Sequence, residues 1–370
     1  MRIMSIMLHL LATILLSSAV SAQNANAAST RRLIGEDRES GRRWGVAATD
    51  LGIPYDQHNG EIGFLFGDTV STKWVQEAKD LRSPVMLRSG IHPGEDGGIV
   101  FESAAGVDGD GLAPRLFYNG DRGDDGTGTG TWEFTVLPND GISFPETGEH
   151  IISYLSIMNF TTPWTPNYSG LAYSTDGNTF TRLPTKWLNN DNNTDPFQMW
   201  TMQRDGDWVY VFTVRSAPQY GPLMLQRVPW DKMTNKTEYQ GWGWNGEDWG
   251  WQRPCSPILD GYFGEPSVRR LHDGTWAMVY LNASTSTPHI VSRSAKDPTG
   301  PWSEEKVQVN QEGDGSLLYG GFIHPWSTSK GNQLYLMVSN WTSTSNLSQT
   351  TEAVADYEGT VSVSQFTGTL

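Results

Sequence analysis

The sequence predicts an all-β protein, a five-bladed β-propeller in a single domain. Its apolar runs are short, alternate at every second residue and are broken by Gly, Asn, Asp and Pro, and no window keeps a helical period beyond two turns. A polar turn followed by an alternating strand recurs at NGEIGFLFGD, TGEHIISYLSIMNF, RDGDWVYVFTV, HDGTWAMVYLN and KGNQLYLMVSNW. These turns lie roughly 55 to 90 residues apart, compatible with kelch-type blades carrying some long loops. A pair of β-sandwiches is the alternative.

The N-terminus has the pattern of a signal peptide over residues 1–22, with an early arginine, an apolar stretch and the small-residue ending SAVSA. We therefore expect a secreted, extracellular protein whose mature chain begins near Gln23. Residues 23–43 are polar and lack periodicity, which predicts an N-terminal extension. Residues 44–370 form the predicted catalytic propeller. No later segment reaches the ~20 apolar residues that a membrane-spanning helix needs.

Composition narrows the possible partners. The formal net charge of −15 argues against nucleic acid and against anionic membranes, because both require clustered Lys and Arg. It suits a neutral polysaccharide substrate. A closed ring of blades leaves only short, protected edges, so we expect a monomer. Cys255 is the single cysteine, which excludes an internal disulfide and fits a small buried apolar residue.

Seven N-x-[ST] sequons predict N-glycosylation in a eukaryotic secretory route. They begin at Asn159, Asn167, Asn192, Asn235, Asn282, Asn340 and Asn346.

The first predicted hairpin, TDLGIPYDQHNGEIGFLFGDT, carries an aspartate at each end. With its turn centred on Asn59, Asp50 and Asp68 oppose each other and share one face, with Cβ atoms about 5 Å apart. The first strand of a propeller blade lines the central channel, so the pair is expected at the channel mouth. Two close carboxylates raise one pKa, which suits acid/base chemistry on a glycosidic bond. The alternative is that each aspartate caps a turn or accepts backbone N–H bonds.

Glu265 is a third candidate, because glutamate is disfavoured in strands and this one stands at a strand start in another predicted blade. It could instead pair with Arg269 or Arg270. His324, in FIHPW, could face the channel or lie in the core.

The aromatic cluster YQGWGWNGEDWGWQ (Tyr239–Gln252) predicts either a sugar-stacking platform or tryptophans buried between sheets.

Metal and cofactor signals are weak. The histidines are widely spaced and no C-x-x-C occurs, so no metal site and no cofactor are predicted. The Asp/Gly-rich segment 106–130 could bind calcium through oxygen ligands, but it lacks the spacing and closing glutamate of an EF-hand and fits a flexible loop.

The ordered motifs TDLG, FGDT, RSPV, YSTDGNTF, GEPSV, DPTGPW and YGGFIHP resemble the domain-of-unknown-function 4185 family from about Trp44 to Gln365. That family is similar to the secreted endo-D-arabinanases of glycoside hydrolase family 183. The resemblance implies a five-bladed propeller acting on α-linked D-arabinofuranose of arabinogalactan and lipoarabinomannan. It implies catalytic roles for Asp50 and Asp68. It also implies one for Glu265, although proline occupies the variable position of the GE-x-S pattern.

Three hypotheses follow. The first is an endo-acting hydrolase in which Asp50 is base or nucleophile and Asp68 is general acid or tunes its neighbour, with Glu265 as the alternative acid. Direct pairing of the aspartates suits a retaining enzyme, and an acid from another blade suits an inverting one. The second is a non-catalytic glycan-binding propeller, and the third a structural protein that presents loops to a partner. Residues expected to contact substrate are Arg82, Trp200, His324 and Trp326.

Overall fold

The computed structural model describes residues 31–73, 79–117, 133–159, 165–189, 195–215, 221–284, 288–310, 316–331, 333–343 and 359–370. Within these ranges, no helix is long and apolar enough to cross a membrane.

Strands make up nearly all of the regular structure. They are β1 (Arg31–Arg32), β2 (Ala48–Asp56), β3 (Ile62–Val70), β4 (Val85–Ser89), β5 (Ser103–Ala104), β6 (Thr135–Phe144), β7 (Glu149–Asn159), β8 (Thr165–Ser174), β9 (Thr181–Leu188), β10 (Met199–Asp205), β11 (Trp208–Val214), β12 (Met224–Pro229), β13 (Gln240–Trp244), β14 (Trp249–Trp251), β15 (Phe263–Arg270), β16 (Trp276–Asn282), β17 (His289–Ala295), β18 (Lys306–Asn310), β19 (Ser316–Ile323), β20 (Leu334–Ser343) and β21 (Gly359–Gly368). One α-helix, α1 (Glu39–Trp44), and two 3-10 helices, Trp230–Lys232 and Lys236–Glu238, complete them.

The strands form five antiparallel sheets arranged as a ring. The sheets are β2-β3-β4-β5, β6-β7-β8-β9, β10-β11-β12-β13-β14, β15-β16-β17-β18 and β19-β20-β21-β1, which we call blades one to five. The innermost strands β2, β6, β10, β15 and β19 each contact the next, and β19 contacts β2. The predicted five-bladed propeller is therefore confirmed.

Both ends of the described chain close the ring. In blade five, β1 pairs with β21 through Arg31↔Gln365 and Arg32↔Ser364. Leu33, Ile34 and Trp44 are buried in the core next to this strand. The described part of the predicted N-terminal extension therefore packs on the propeller, and β1 is its outer strand.

The two-residue period of the sequence produces the interfaces between blades. In β11, Val209 and Val211 pack into one hydrophobic cluster, while Phe212 and Val214 pack into another. Successive side chains of a strand point to opposite faces, so blade three, which contains β11, is buried on both sides.

A buried ion pair closes the interior of the channel. Arg269 of β15 bonds both carboxylate oxygens of Asp140 on β6, at 2.7 and 2.8 Å. The same guanidinium donates to the carbonyls of Pro54 on β2 and Met202 on β10. Because one side chain joins four of the five innermost strands, it separates the two ends of the channel.

Candidate active site

Three carboxylates meet at one end of the channel. Asp50 lies near the start of β2, Asp68 near the end of the antiparallel β3, and Glu265 near the start of β15. The innermost strands run in the same direction, so these three positions share one end. The negative charges of Asp68 and Glu265 both act on Asp50. Blades one and four thus supply one cluster, as the sequence predicted for the aspartates.

A β-bulge sets the relation between the two aspartates. The hairpin turn is centred on Asn59, as predicted, because Asp56 pairs with Ile62. The pairs Thr49↔Thr69 and Leu51↔Phe66 leave the single residue Asp50 opposite two residues of β3. The expected direct pairing of Asp50 with Asp68 is therefore wrong. A bulge bends the strand and re-aims its side chains.

Glycine at position 67 makes room for the Asp50 carboxyl group. A Cβ built there would lie 2.2 Å from Asp50 Oδ1. The backbone N–H groups of Asp68 and Asp50 are near the Asp50 carboxylate and favour its charged form, against the larger effect of burial on its pKa. Oδ1 of Asp50 is buried and has no hydrogen-bond partner among the described residues. This oxygen therefore lies against the backbone of β3, and its burial without a partner opposes the charged form of Asp50.

Glu265 is aimed into the channel by a second bulge. The pairs Gly264↔Leu281 and Ser267↔Val279 leave two residues of β15 opposite one of β16, and Glu265 has φ of 45°. A positive φ at a non-glycine residue is strained and is typical of functional sites. Gly320 of the intervening blade five lies against it, since a Cβ there would be 3.2 Å from that of Glu265.

The alternative ion pair for Glu265 is excluded by the partners of the two arginines. Arg269 bonds Asp140, and Arg270 pairs with Asp205 at 3.3 Å. The carboxyl group of Glu265 is therefore not neutralised by either cation.

Burial raises the pKa of all three carboxyl groups. Each side chain keeps a little surface exposure, but the surrounding protein excludes most of the water that would solvate a charge. Burial raises the pKa of Glu265 to about 8. Burial, followed by the charges of Asp68 and Glu265, raises the pKa of Asp50 well above its usual range.

Two groups that sequence reasoning missed favour a negative charge on Asp68. Burial raises the pKa of Asp68 to about 6, against the opposing effects of a hydrogen bond from Thr135 and the charge of Arg115. Thr135 Oγ1 donates to Asp68 Oδ1 at 2.7 Å. Both residues precede or begin blade two, and no local pattern links them to the hairpin of blade one.

Two of the predicted substrate-contacting residues have structural roles instead. Arg82 is buried, and its guanidinium donates to the carbonyls of Gly45 and Ala113 and pairs with Asp80. Trp200 is buried in the cluster between blades two and three, with its ring 4.5 Å from that of Trp187. Neither side chain is available to a substrate.

His324 and Trp326 follow the far end of β19, away from the carboxylates. His324 is fully buried against Phe64, and burial lowers its pKa to about 3. Trp326 stacks on His92 with ring centroids 5.7 Å apart. The channel interpretation of His324 is therefore wrong, because strand direction places it beyond the sealing arginine.

A cavity of about 490 Å³ opens at this far end, between residues that follow or end the innermost strands. Its lining includes Tyr55, Ser143, Arg204 and Arg270. None of the three carboxylates lines it. Because the chemistry lies with the carboxylates, we place the candidate site at their end of the channel.

The described residues contain no group of three His, Cys, Asp or Glu side chains arranged to hold a metal ion. Most of the Asp/Gly-rich segment considered for calcium lies outside the described residues.

The sequons differ in their surroundings. Asn235 is exposed, and its Oδ1 accepts from the backbone N–H of Thr237. Asn282 accepts in the same way from Ser284. Asn167 and Asn340 are half-buried in strands, Asn159 ends β7, and Asn192 and Asn346 lie outside the described residues. Cys255 is a free, half-buried thiol.

The chain matches the family described as Domain of unknown function (DUF4185) over residues 36–358. The chain belongs to the DUF4185 family. It is 85% identical over 370 residues to Notoamide biosynthesis cluster protein J' of Aspergillus versicolor, covering all of both chains. It is 28% identical over 149 residues to an uncharacterized 35.9 kDa protein of Mycolicibacterium smegmatis, covering 36% of this chain and 42% of that one. The resemblance to the DUF4185 family noted in the sequence is confirmed.

Solved structures share the fold of this DUF4185 protein. A structure from Bacteroides ovatus has a TM-score of 0.54 at 15% identity and covers 88% of this chain and 87% of its own. Zg3597 of Zobellia galactanivorans, a family 117 glycoside hydrolase, has a TM-score of 0.51 at 12% sequence identity. The match covers 92% of this chain and 89% of Zg3597. An exo-beta-1,3-galactanase from Clostridium thermocellum has a TM-score of 0.50 at 11% sequence identity. The match covers 91% of this chain and 62% of the galactanase. The propeller is thus a fold that glycoside hydrolases use.

Proposed function

We propose that this DUF4185 protein is a secreted, endo-acting glycoside hydrolase that cleaves α-linked D-arabinofuranose chains of the arabinogalactan or lipoarabinomannan type. The observation that carries the proposal is the convergence of Asp50, Asp68 and Glu265 at one end of the propeller channel. Glycoside hydrolysis needs an acid that protonates the leaving oxygen and a second carboxylate on the other side of the bond. The family resemblance supports the arabinan substrate, and the net charge of −15 fits a neutral polymer.

Glu265 is the proposed general acid. Its pKa of about 8 keeps the side chain protonated at neutral pH, which is the state an acid catalyst requires. Neither neighbouring arginine pairs with it, so its proton is free to transfer to a leaving oxygen.

The two aspartates form the proposed base. Thr135 and Arg115 favour a negative charge on Asp68, whose pKa of about 6 lies below the pKa of about 8 of Glu265, so the pair carries a negative charge while Glu265 keeps its proton. Asp50 lies on the channel-lining strand and its side chain keeps some surface exposure, so we assign it the contact with water or substrate. Asp68 tunes the protonation of that neighbour.

The position of the acid favours inversion. Glu265 belongs to blade four, which is separated from blade one by blade five on one side and by blades two and three on the other. A wide separation of acid and base leaves space for the attacking water. We therefore expect the newly formed reducing end to have the opposite anomeric configuration to the bond cleaved.

A second candidate function comes from the relative of Aspergillus versicolor, whose name refers to notoamide biosynthesis. The same acid and base would then act on a small molecule of that biosynthetic route. The carboxylates would keep their roles, and only the bound group would differ.

The test is incubation with mycobacterial arabinogalactan, beside L-arabinan and fructan, with chromatography of the products and NMR of the fresh reducing ends. Short oligosaccharides from the first polymer alone, lost in Asp50→Asn, support the proposal. Intact polymers, with binding retained, would favour a glycan-binding propeller. Intact polymers without binding would favour the small-molecule substrate.

A further inference from the structure

The edge of blade three carries an additional hairpin that the catalytic site does not use. Blades one, two, four and five have four strands, whereas blade three has β14 as a fifth. In this hairpin, Trp242 pairs with Trp251 and Trp244 with Trp249. Directly paired residues and residues two apart share a face of a ribbon, so all four indoles lie on one side.

The other side of the hairpin is made of glycines packed on backbone. A Cβ at Gly243 would lie 1.8 Å from the carbonyl oxygen of Pro254, and one at Gly241 would lie 2.3 Å from that of Arg253. No larger residue fits either position. The ribbon is therefore held flat against the following segment, and its tryptophan side is turned away from it.

The four indoles form a continuous run. Ring centroids are 5.0 Å apart between Trp242 and Trp251, 6.1 Å between Trp242 and Trp249, and 6.0 Å between Trp244 and Trp249. Trp244 is 48% exposed and Trp249 39%. At the inner end, Arg227 lies 4.2 Å from the centre of the Trp251 ring and fixes it. The outer end is thus an exposed aromatic surface on a supported base.

The polar features of this surface suit a neutral hydroxylated ligand. No indole N–H of the four donates to a described residue, so all remain available to acceptors. The turn carries exposed Glu247 and Asp248, and Arg253 is paired with Asp248 at 3.1 Å, so the turn has no excess positive charge that would attract a polyanion. Indole faces are electron-rich and attract the polarised C–H faces of sugars, while free N–H groups match sugar hydroxyls.

We propose that the β13–β14 hairpin is a second glycan-binding site, which holds a neutral polysaccharide chain outside the channel. This inference rests on the proposed function and extends it to polymer recognition. The site lies three strands from the channel-lining β10, or about 15 Å at the usual strand spacing. It therefore increases retention on long chains without contacting the bond that is cleaved.

The test uses affinity electrophoresis in gels containing arabinogalactan, L-arabinan or fructan, with all proteins in the Asp50→Asn background. The double variant Trp244→Ala/Trp249→Ala is compared with Tyr262→Ala, which removes an exposed aromatic (54%) outside the hairpin. Loss of two stacking surfaces is expected to weaken retention about five-fold or more in at least one gel. Trp244→Tyr/Trp249→Tyr keeps the aromatic faces and is expected to restore most of it.

The inference is overturned if no gel retards the parent protein, or if the alanine pair leaves retardation unchanged. It is also overturned if light scattering shows a dimer that the alanine pair dissociates, because the surface would then bind a second copy. Retention does not depend on turnover. Failure of the hydrolase proposal alone therefore leaves retention intact, and failure of this one leaves cleavage of short oligosaccharides intact.

Discussion

Replacing Glu265 by glutamine removes the proposed general acid and keeps the size of the side chain. General acid catalysis contributes typically 10²–10⁴-fold, so we expect turnover of an alkyl-linked or sugar-linked arabinofuranoside to fall by about that factor. A substrate with a good leaving group, such as a nitrophenyl furanoside, needs little protonation and should lose much less. The ratio of the two losses isolates proton donation from binding.

The pH dependence follows from the same ionisation. With a pKa of about 8, Glu265 stays protonated through neutral pH. One unit higher, only about a tenth of the protein keeps the proton, so activity should fall about ten-fold per unit above pH 8. This alkaline limb should disappear in Glu265→Gln. The matched control Glu304→Gln, which alters an exposed glutamate of the same blade, should keep the alkaline limb of the wild-type protein.

Stability provides an independent reading of this variant. The pKa of Glu265 rises from the ordinary 4.5 to about 8 on folding. Its contribution to the free energy of unfolding is therefore full below pH 4.5 and is lost as pH rises through 8. Glutamine does not ionise, so the Glu265→Gln variant does not lose this stability at high pH. It should be more stable than the wild-type protein by on the order of a few kcal/mol at pH 8–9. Urea unfolding at pH 5 and pH 9 measures the difference.

The assignment fails if Glu265→Gln keeps the alkaline limb. It also fails if nitrophenyl and sugar-linked substrates lose activity equally while the variant remains folded.

Three further changes test the surroundings of the site. Gly67→Ala places a Cβ 2.2 Å from Asp50 Oδ1 and should reduce turnover by ten-fold or more with modest loss of stability. Thr135→Val removes a bond that favours the charged form of Asp68, so its pKa should rise above 6 and the acidic limb should move to higher pH. Asp140→Asn leaves a buried guanidinium short of its counter-charge and should lower the free energy of unfolding by about 3–5 kcal/mol.

Each of these changes has a control. Gly221→Ala adds a Cβ in open space, Thr181→Val alters an exposed threonine, and Glu146→Gln breaks the exposed ion pair with Arg204. An exposed pair contributes about 0–1 kcal/mol, so this last variant should be nearly neutral. Steady-state kinetics measures the Gly67 and Thr135 variants, and urea unfolding measures the Asp140 variant. If a variant and its control show equal effects, the role assigned to that contact is wrong.

The fold was predictable because each blade repeats a local signal, a polar turn followed by a two-residue alternation. The closing strand β1 was not, because two residues cannot show a period. The bulge at Asp50 was also hidden. It depends on positive φ values at Leu51 and Gly52 and on space above Gly67, none of which alternation reveals.

The site was predictable only in part. Asp50 and Asp68 could be found because they stand at the two ends of one predicted hairpin, and Glu265 because glutamate is unusual at a strand start. Trp200 and Arg82 could not be assigned, since a pattern does not show which neighbour a side chain contacts. Arg115 precedes the second blade in sequence and acts on Asp68 only through the folded ring.

The most direct test of the central claim is the initial rate of oligosaccharide release from arabinogalactan by the wild-type protein and three variants. The account predicts a ladder of short products, and a loss of at least about 100-fold in Asp50→Asn, Asp68→Asn and Glu265→Gln. Turnover that persists in all three variants, or cleavage that requires none of these carboxylates, would contradict it.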